Sequence, residues 1–170
     1  MRLELGDLAV YPAHGVGQIE SVEQRTVGDR QYDFFVMRIL ENGMKIMIPV
    51  QNIEEIGLRP LIAKEEVKKV YALFKTPPKS PDTTNWNRRH RDYMEKIKTG
   101  SPYDVAQVMC ELLAMRVEKD LSFGERKLLD MVKVLLVKEV ALASEKSEKE
   151  VEAEIQAFFP PPSRTVSSRS

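Results

Sequence analysis

The sequence predicts an α+β protein, with a small bent antiparallel barrel of about five strands followed by a compact all-α domain of about five helices. Three features predict this. The apolar period changes from 2 to 3.6 after Pro60, glycine-containing turn signals punctuate the first 60 residues, and serine caps stand ahead of apolar stripes in the last 70. A length of 170 residues and an apolar share of 42% allow one medium domain or two small ones with a real core.

In the first half, Leu8-Ala9-Val10-Tyr11 and residues 16–22, 32–40 and 44–50 are short runs rich in β-branched or aromatic side chains. Gly15-Val16-Gly17 marks a sharp bend or a close backbone approach, and Val27-Gly28-Asp29-Arg30 marks a turn. Asn42-Gly43 is a two-residue hairpin signal, since a type I′ turn needs positive φ at both positions. Residues 52–58 add a short fifth strand. Five such strands in so short a span suit an SH3-like or Tudor-like barrel over residues 1–60.

From residue 61 the chain reads as helical. Val67, Val70, Tyr71 and Phe74 give a helix over 62–75, which the prolines Pro77, Pro78 and Pro81 end. A second helix opens near Thr84 and runs to Thr99-Gly100. Ser101-Pro102-Tyr103-Asp104 supplies an N-cap, proline at the first helical position and an acid in the first turn. Ser122-Phe123-Gly124-Glu125 and Ser147-Glu148-Lys149-Glu150 are both S-x-x-E capping boxes. The helical domain therefore covers 61–159, and Pro160-Pro161-Pro162 ends it. Residues 160–170 read as a polar tail expected to be disordered.

The formal net charge is zero, but it is unevenly spread. Residues 1–60 carry 6 Lys/Arg against 9 Asp/Glu (net −3), residues 61–100 carry 10 against 5 (+5), and residues 101–170 carry 10 against 12 (−2). A patch of one sign, not the total, decides what a surface attracts. Cys110 is alone, so neither an intramolecular disulfide nor a thiolate metal cluster is expected, and its apolar helical neighbours make it a small buried hydrophobe. The N-terminus shows no signal-peptide pattern and no apolar run approaches a membrane span, so a cytoplasmic protein is expected.

Catalytic constellations are missing from the sequence. The two histidines, His14 and His90, stand in no metal-binding pattern, and there is no phosphate loop, dinucleotide fingerprint or nucleophile elbow. Carboxylates stand mostly beside lysines on helical faces. The reading is of a non-enzyme with no cofactor and no metal.

The single tryptophan, Trp86, lies in the most basic short stretch, Thr84-Asn85-Trp86-Asn87-Arg88-Arg89-His90-Arg91, with Lys68, Lys69, Lys75 and Lys79 nearby in sequence. On a helix over 84–98, Trp86, His90, Tyr93 and Ile97 share one side, so Trp86 could simply be the first rung of a core stripe. Its place at the very start of the helix, crowded by arginines, favours a second reading. Arginines would hold phosphates while the indole stacks on or wedges beside a base, giving salt-sensitive affinity and a preference for opened or kinked DNA.

The chain resembles the CarD/CdnL family of bacterial transcription factors over roughly residues 2–159. The resemblance is carried by Gly6-Asp7-Leu8-Ala9-Val10-Tyr11-Pro12-Ala13-His14-Gly15, by Met47-Ile48-Pro49-Val50 with Ile56-Gly57-Leu58-Arg59, by Thr84-Asn85-Trp86-Asn87-Arg88-Arg89 through Glu95-Lys96-Ile97, and by Leu121-Ser122-Phe123-Gly124-Glu125-Arg126. It implies a Tudor-like domain that binds the β subunit of RNA polymerase and a helical domain that contacts promoter DNA. It also implies that Trp86 wedges into the minor groove at the upstream edge of the transcription bubble and stabilises the open complex.

DNA contacts are implied for Arg91 and Arg126, to which the basic stretch adds Arg88 and Arg89; polymerase contacts are implied for Arg25, Met47, Ile48 and Pro49. Some family members carry a basic residue where this chain has Met47, which implies a more apolar docking surface here. Strand alternation allows one of Met47 and Ile48 to face the core and the other a partner. A monomer is expected. The competing reading is a protein–protein interaction module without direct DNA contact.

Overall fold

The computed structural model describes residues 2–76 and 85–161. The prolines at 77–81, Lys79, Thr84 and the tail from residue 162 lie outside the described residues. The chain divides into two compact units between Leu61 and Ile62.

The N-terminal unit is a curled four-stranded antiparallel sheet in the order β1-β2-β3-β4. The strands are β1 (Leu8–Tyr11), β2 (Gly15–Val27), β3 (Arg30–Ile39) and β4 (Lys45–Pro49). A register shift between Ile19 and Ser21 bends β2, as an extra residue in one strand does. Ala9, Ile19, Met37, Ile39 and Ile48 fill the concave core, each at most 1% exposed. Gly17 is the close approach expected from the sequence: a Cβ there would stand 2.5 Å from the Met37 side chain.

Two sequence expectations fail in this unit for local reasons. Residues 52–58 do not form a fifth strand. A 3-10 turn at Val50–Asn52 leads into a single helical turn, α1 (Ile53–Ile56), closed by Gly57 at φ 87. Ile53 and Ile56 are spaced i, i+3, which turns both toward the core in a helix but would split them across the faces of a strand. All that remains of the fifth strand is the pairing of Val10 with Arg59.

Asn42-Gly43 is likewise not a two-residue hairpin. Only Gly43 has positive φ (74), Ile39 N donates to Met44 O across a wider loop, and Asn42 Oδ1 accepts from Met44 N at 2.9 Å. The asparagine is used as a side-chain turn, not as a left-handed residue. By contrast, Gly28 at φ 64 sits in a true two-residue loop with Val27 paired to Arg30.

The helical unit contains α2 (Val67–Lys75), preceded by a 3-10 turn at Lys64–Glu66, then α3 (Trp86–Lys98), α4 (Pro102–Glu118), α5 (Phe123–Ser144) and α6 (Glu148–Gln156). The three predicted starts are where the caps place them. Ser101 accepts from Tyr103 N and Asp104 N, and both S-x-x-E boxes close reciprocally. Val70, Phe74, Ile97, Met109, Leu112 and Ile155 are completely buried and join the helices into one core. The buried carboxylate of Glu139 on α5 accepts from Ile62 N at 2.8 Å and so anchors the first residue of this unit. Among the described residues no helix is long and apolar enough to cross a membrane, and no group of His, Cys, Asp and Glu side chains could hold a metal ion.

Candidate nucleic-acid interface

Trp86 is the first residue of α3, and its position follows from the local sequence. Asn85 is extended (φ −144, ψ 101), and its side-chain oxygen accepts from Arg88 N at 3.2 Å, so the helix starts with the indole on its first turn. The ring lies in line with Tyr93 and Ile97, which are buried, but it is itself only partly buried. Trp86 thus shares the side of α3 that carries core residues while keeping part of its surface exposed.

The supporting wall is the start of α5. A Cβ on Gly124 would stand 3.0 Å from indole Cζ2 and 3.3 Å from Nε1, so only glycine lets the ring lie this close to the α5 backbone. His90, one turn along α3, meets the indole edge-on with centroids 5.4 Å apart. The Arg89 guanidinium carbon lies 5.2 Å from the Trp86 ring centroid and 5.9 Å from that of Tyr93, within cation–π range of both.

Arg89 is not free. Its Nη2 donates to Glu125 Oε2 at 2.9 Å, and the two side chains are 13% and 6% exposed. Burial alone would push the Arg89 guanidinium down and the Glu125 carboxyl up. The hydrogen bond between them outweighs it, and Ser122 adds to the effect on Glu125, so Arg89 is held above and Glu125 below its usual range. Glu125 is also the acid of the α5 capping box, accepting from Ser122 N at 2.8 Å through Oε1. A single carboxylate thus ties the start of α5 to the start of α3.

The other predicted DNA-contacting residues are placed differently. Arg88 and Arg91 are exposed and have no ion-pair partner among the described residues, but they lie about 200° and 140° around α3 from Trp86 at 100° per residue. Arg126 is exposed in the first turn of α5, about 160° around that helix from Gly124. The structure thus brings Arg89 to the ring and leaves Arg88, Arg91 and Arg126 on flanking surfaces.

Two residues that the sequence reading assigned no role stand close by. Phe123, the first residue of α5, is 72% exposed, and Lys127 Nζ lies 5.9 Å from its ring centroid. The sequence signal was the capping box, which explains Ser122 and Glu125 but leaves an exposed phenylalanine between them without a structural reason.

In the N-terminal unit β4 is an edge strand. Ile48 is completely buried whereas Met47 is 38% exposed, which resolves the alternation between them. The register pairs Val36 of β3 with Ser21 on one side and Met47 on the other, Phe34 with Glu23 and Pro49, and Tyr32 with Arg25. With side chains alternating along each strand, Met47, Pro49 and Arg25 share the face opposite Ile48. Arg25 is exposed, 3.3 Å from Glu23, on the part of the β2–β3 hairpin that runs beyond β4.

Comparison with known proteins follows this division. The family model "CarD-like/TRCF RID domain" matches residues 3–62 and "CarD, C-terminal domain" matches residues 69–156. The chain is 30% identical over 150 residues to "Putative transcription factor YdeB" of Bacillus subtilis (strain 168), covering 88% of this chain and 97% of that protein. Among solved structures, CdnLNt from Myxococcus xanthus is 45% identical over 36% of this chain and 87% of its own, with a TM-score of 0.32. The 72-residue N-terminal domain of Myxococcus xanthus CarD is 32% identical over 35% of this chain and 79% of its own, with a TM-score of 0.31. Two family models in chain order and a relative matched over nearly its full length give the protein a role in transcription: the chain belongs to the CarD/CdnL family of transcription factors.

Proposed function

We propose that this protein docks on the β subunit of RNA polymerase through its N-terminal unit and presents Trp86 to promoter DNA at the upstream edge of the transcription bubble, stabilising the open complex. The observation that carries the reading is the partly exposed indole, held at the tip of α3 against the α5 backbone and the Arg89 guanidinium. A ring held in place in the free protein loses little freedom on binding, so stacking against an unpaired or distorted base pair returns most of its roughly 1–3 kcal/mol. Arg88, Arg91, Arg126 and Lys127 are exposed cations on the surrounding surfaces, able to meet phosphates on either side of such a step.

In the N-terminal unit, the edge strand β4 offers unpaired backbone groups to a strand of the polymerase, with Met47, Pro49 and Arg25 toward the partner on one face. Residues 1–60 carry a net charge of −3, so this unit is suited to a protein partner more than to DNA. The small basic footprint makes binding to DNA alone weak, and attachment to polymerase supplies the effective concentration. No catalytic step is involved; one copy of the chain acts as a bridge in the cytoplasm.

Replacing Trp86 with alanine tests the wedge. Open complexes formed by polymerase with the Trp86→Ala protein and challenged with competitor DNA should decay roughly tenfold faster than with the parent protein, the loss expected for one stacked base. An unchanged half-life would refute the wedge role.

A second reading, a protein–protein interaction module without DNA contact, is favoured by the exposed Phe123, Met131, Val134 and Leu142 along one side of α5. It predicts equal, salt-insensitive behaviour toward forked and duplex promoter DNA, whereas bridging predicts a preference for forks that falls as salt rises.

A further inference from the structure

We propose that Arg89 is a positioning residue for the Trp86 indole and not a phosphate ligand: its ion pair with Glu125 holds the guanidinium against the ring and fixes the direction in which α3 presents it. This rests on the reading that Trp86 meets promoter DNA. It separates Arg89 from the exposed cations Arg88 and Arg91, although the three are neighbours in sequence.

The geometry assigns the role. Arg89 Nη2 lies 2.9 Å from Glu125 Oε2 in a pair that is 13% and 6% exposed, while its guanidinium carbon lies 5.2 Å from the Trp86 centroid. Glu125 cannot drift, because its other oxygen accepts from Ser122 N at 2.8 Å and its own backbone N–H is bound by Ser122 Oγ at 3.2 Å. The cap of α5 thus fixes the carboxylate, the carboxylate fixes the guanidinium, and the guanidinium closes one side of the indole. The Gly124 backbone supports the ring and His90 meets it edge-on.

For Arg89 to reach a phosphate it would have to leave this carboxylate buried and unpaired, which is strongly unfavourable. With its charge already neutralised, Arg89 adds little to the attraction for a polyanion. Its planar, delocalised cation is suited to lying against an aromatic ring while holding a carboxylate. A lysine ammonium at the same position keeps the charge and loses that shape.

Trp86 is the chain's only tryptophan, so its fluorescence reports on the seat directly in the free, full-length protein. The test compares Arg89→Lys, Arg89→Gln and Arg91→Gln with the parent in acrylamide quenching of Trp86, and these variants and Trp86→Ala with the parent in the salt dependence of affinity for forked promoter DNA. In both Arg89 variants the indole should become more accessible to quencher and its emission shift to the red, with lysine giving no rescue. Fork affinity should fall roughly tenfold, toward that of Trp86→Ala, while the slope of log K against log salt stays at the parent value. Arg91→Gln should do the reverse, losing about 0.9 from the slope with quenching unchanged.

A slope loss of that size in Arg89→Gln, full fork affinity in Arg89→Lys, or unaltered quenching in both would overturn the proposal. Should circular dichroism show that Arg89→Gln fails to fold, the double variant Arg89→Met with Glu125→Gln removes both charges together and keeps the helix cap. It must then show the raised quenching and the parent slope. If Trp86→Ala binds forks as tightly as the parent, the DNA reading has failed, and the quenching arm alone still decides whether Arg89 seats the ring.

Discussion

Two tyrosines in the helical unit show how much a hydroxyl depends on its partner. Tyr71 on α2 donates to Glu154 Oε1 on α6 at 2.7 Å, and burial together with that carboxylate pushes its phenol well above the usual range. Tyr93 on α3 is 4% exposed and packs against the Arg89 guanidinium, but among the described residues its buried hydroxyl has no hydrogen-bond partner, nor has Arg89 Nε. Removing a bonded hydroxyl loses a net hydrogen bond, whereas removing an unbonded buried one relieves a desolvation cost. Tyr71→Phe should therefore destabilise the protein by about 1 kcal/mol, and Tyr93→Phe should leave it unchanged or stabilise it by up to about 1 kcal/mol. Chemical denaturation of the two variants beside the parent checks this, and a larger loss in Tyr93→Phe than in Tyr71→Phe would contradict it.

At the scale of elements, α5 sets helix stability against the candidate site at one position. Gly124 is in the first turn of α5, where alanine would raise helix propensity by roughly 0.5 kcal/mol. The added methyl would meet indole Cζ2 at 3.0 Å, closer than an ordinary contact, so the partly buried ring must shift to admit it. Gly124→Ala should then keep or slightly raise the melting temperature while shifting Trp86 emission and shortening the life of open complexes; a parent-like spectrum and lifetime would show that the wall has no such role. The sequence makes the starts of α4, α5 and α6 legible because a cap is a local device: Ser101, Ser122 and Ser147 each bond to backbone within three residues. Residues 52–58 mislead because a run this short shows less than two turns of any period, and the i, i+3 spacing of Ile53 and Ile56 decides for a helical turn only once both are seen to pack on one core. The Arg89–Glu125 bond joins residues 36 apart, so nothing near Arg89 in the sequence distinguishes it from Arg88 or Arg91.

Over the whole chain the charge is balanced, yet its distribution is legible from sequence, with net −3 in residues 1–60 and net +5 in residues 61–100. The response of the helical unit to acid is not legible, because it depends on which carboxylates the fold buries or pairs. Glu111 is raised above its ordinary value of 4.5, chiefly by burial and only partly offset by Lys96 and Arg89. Glu125 is lowered because Arg89 and Ser122 overcome its burial, and Glu154 is lowered by Lys146 and Tyr71. A group with a raised folded-state value binds its proton more readily in the folded protein, so protonating Glu111 as pH falls toward 4.5 adds stability. Groups with lowered values act oppositely: Glu125 and Glu154 contribute stability that is complete above 4.5 and lost as pH falls through their folded-state values. Glu111 should therefore make stability rise as pH falls from neutrality toward 4.5, and Glu125 and Glu154 should make it fall below 4.5. Glu111→Gln should raise stability at neutral pH and abolish the initial rise. Glu125→Gln, which keeps the cap and loses the ion pair, should lower stability at neutral pH and flatten the acid limb. Denaturant titrations across this range on the parent and both variants test the assignment. A parent whose stability falls steadily from neutrality, with Glu111→Gln following the same curve, would refute it.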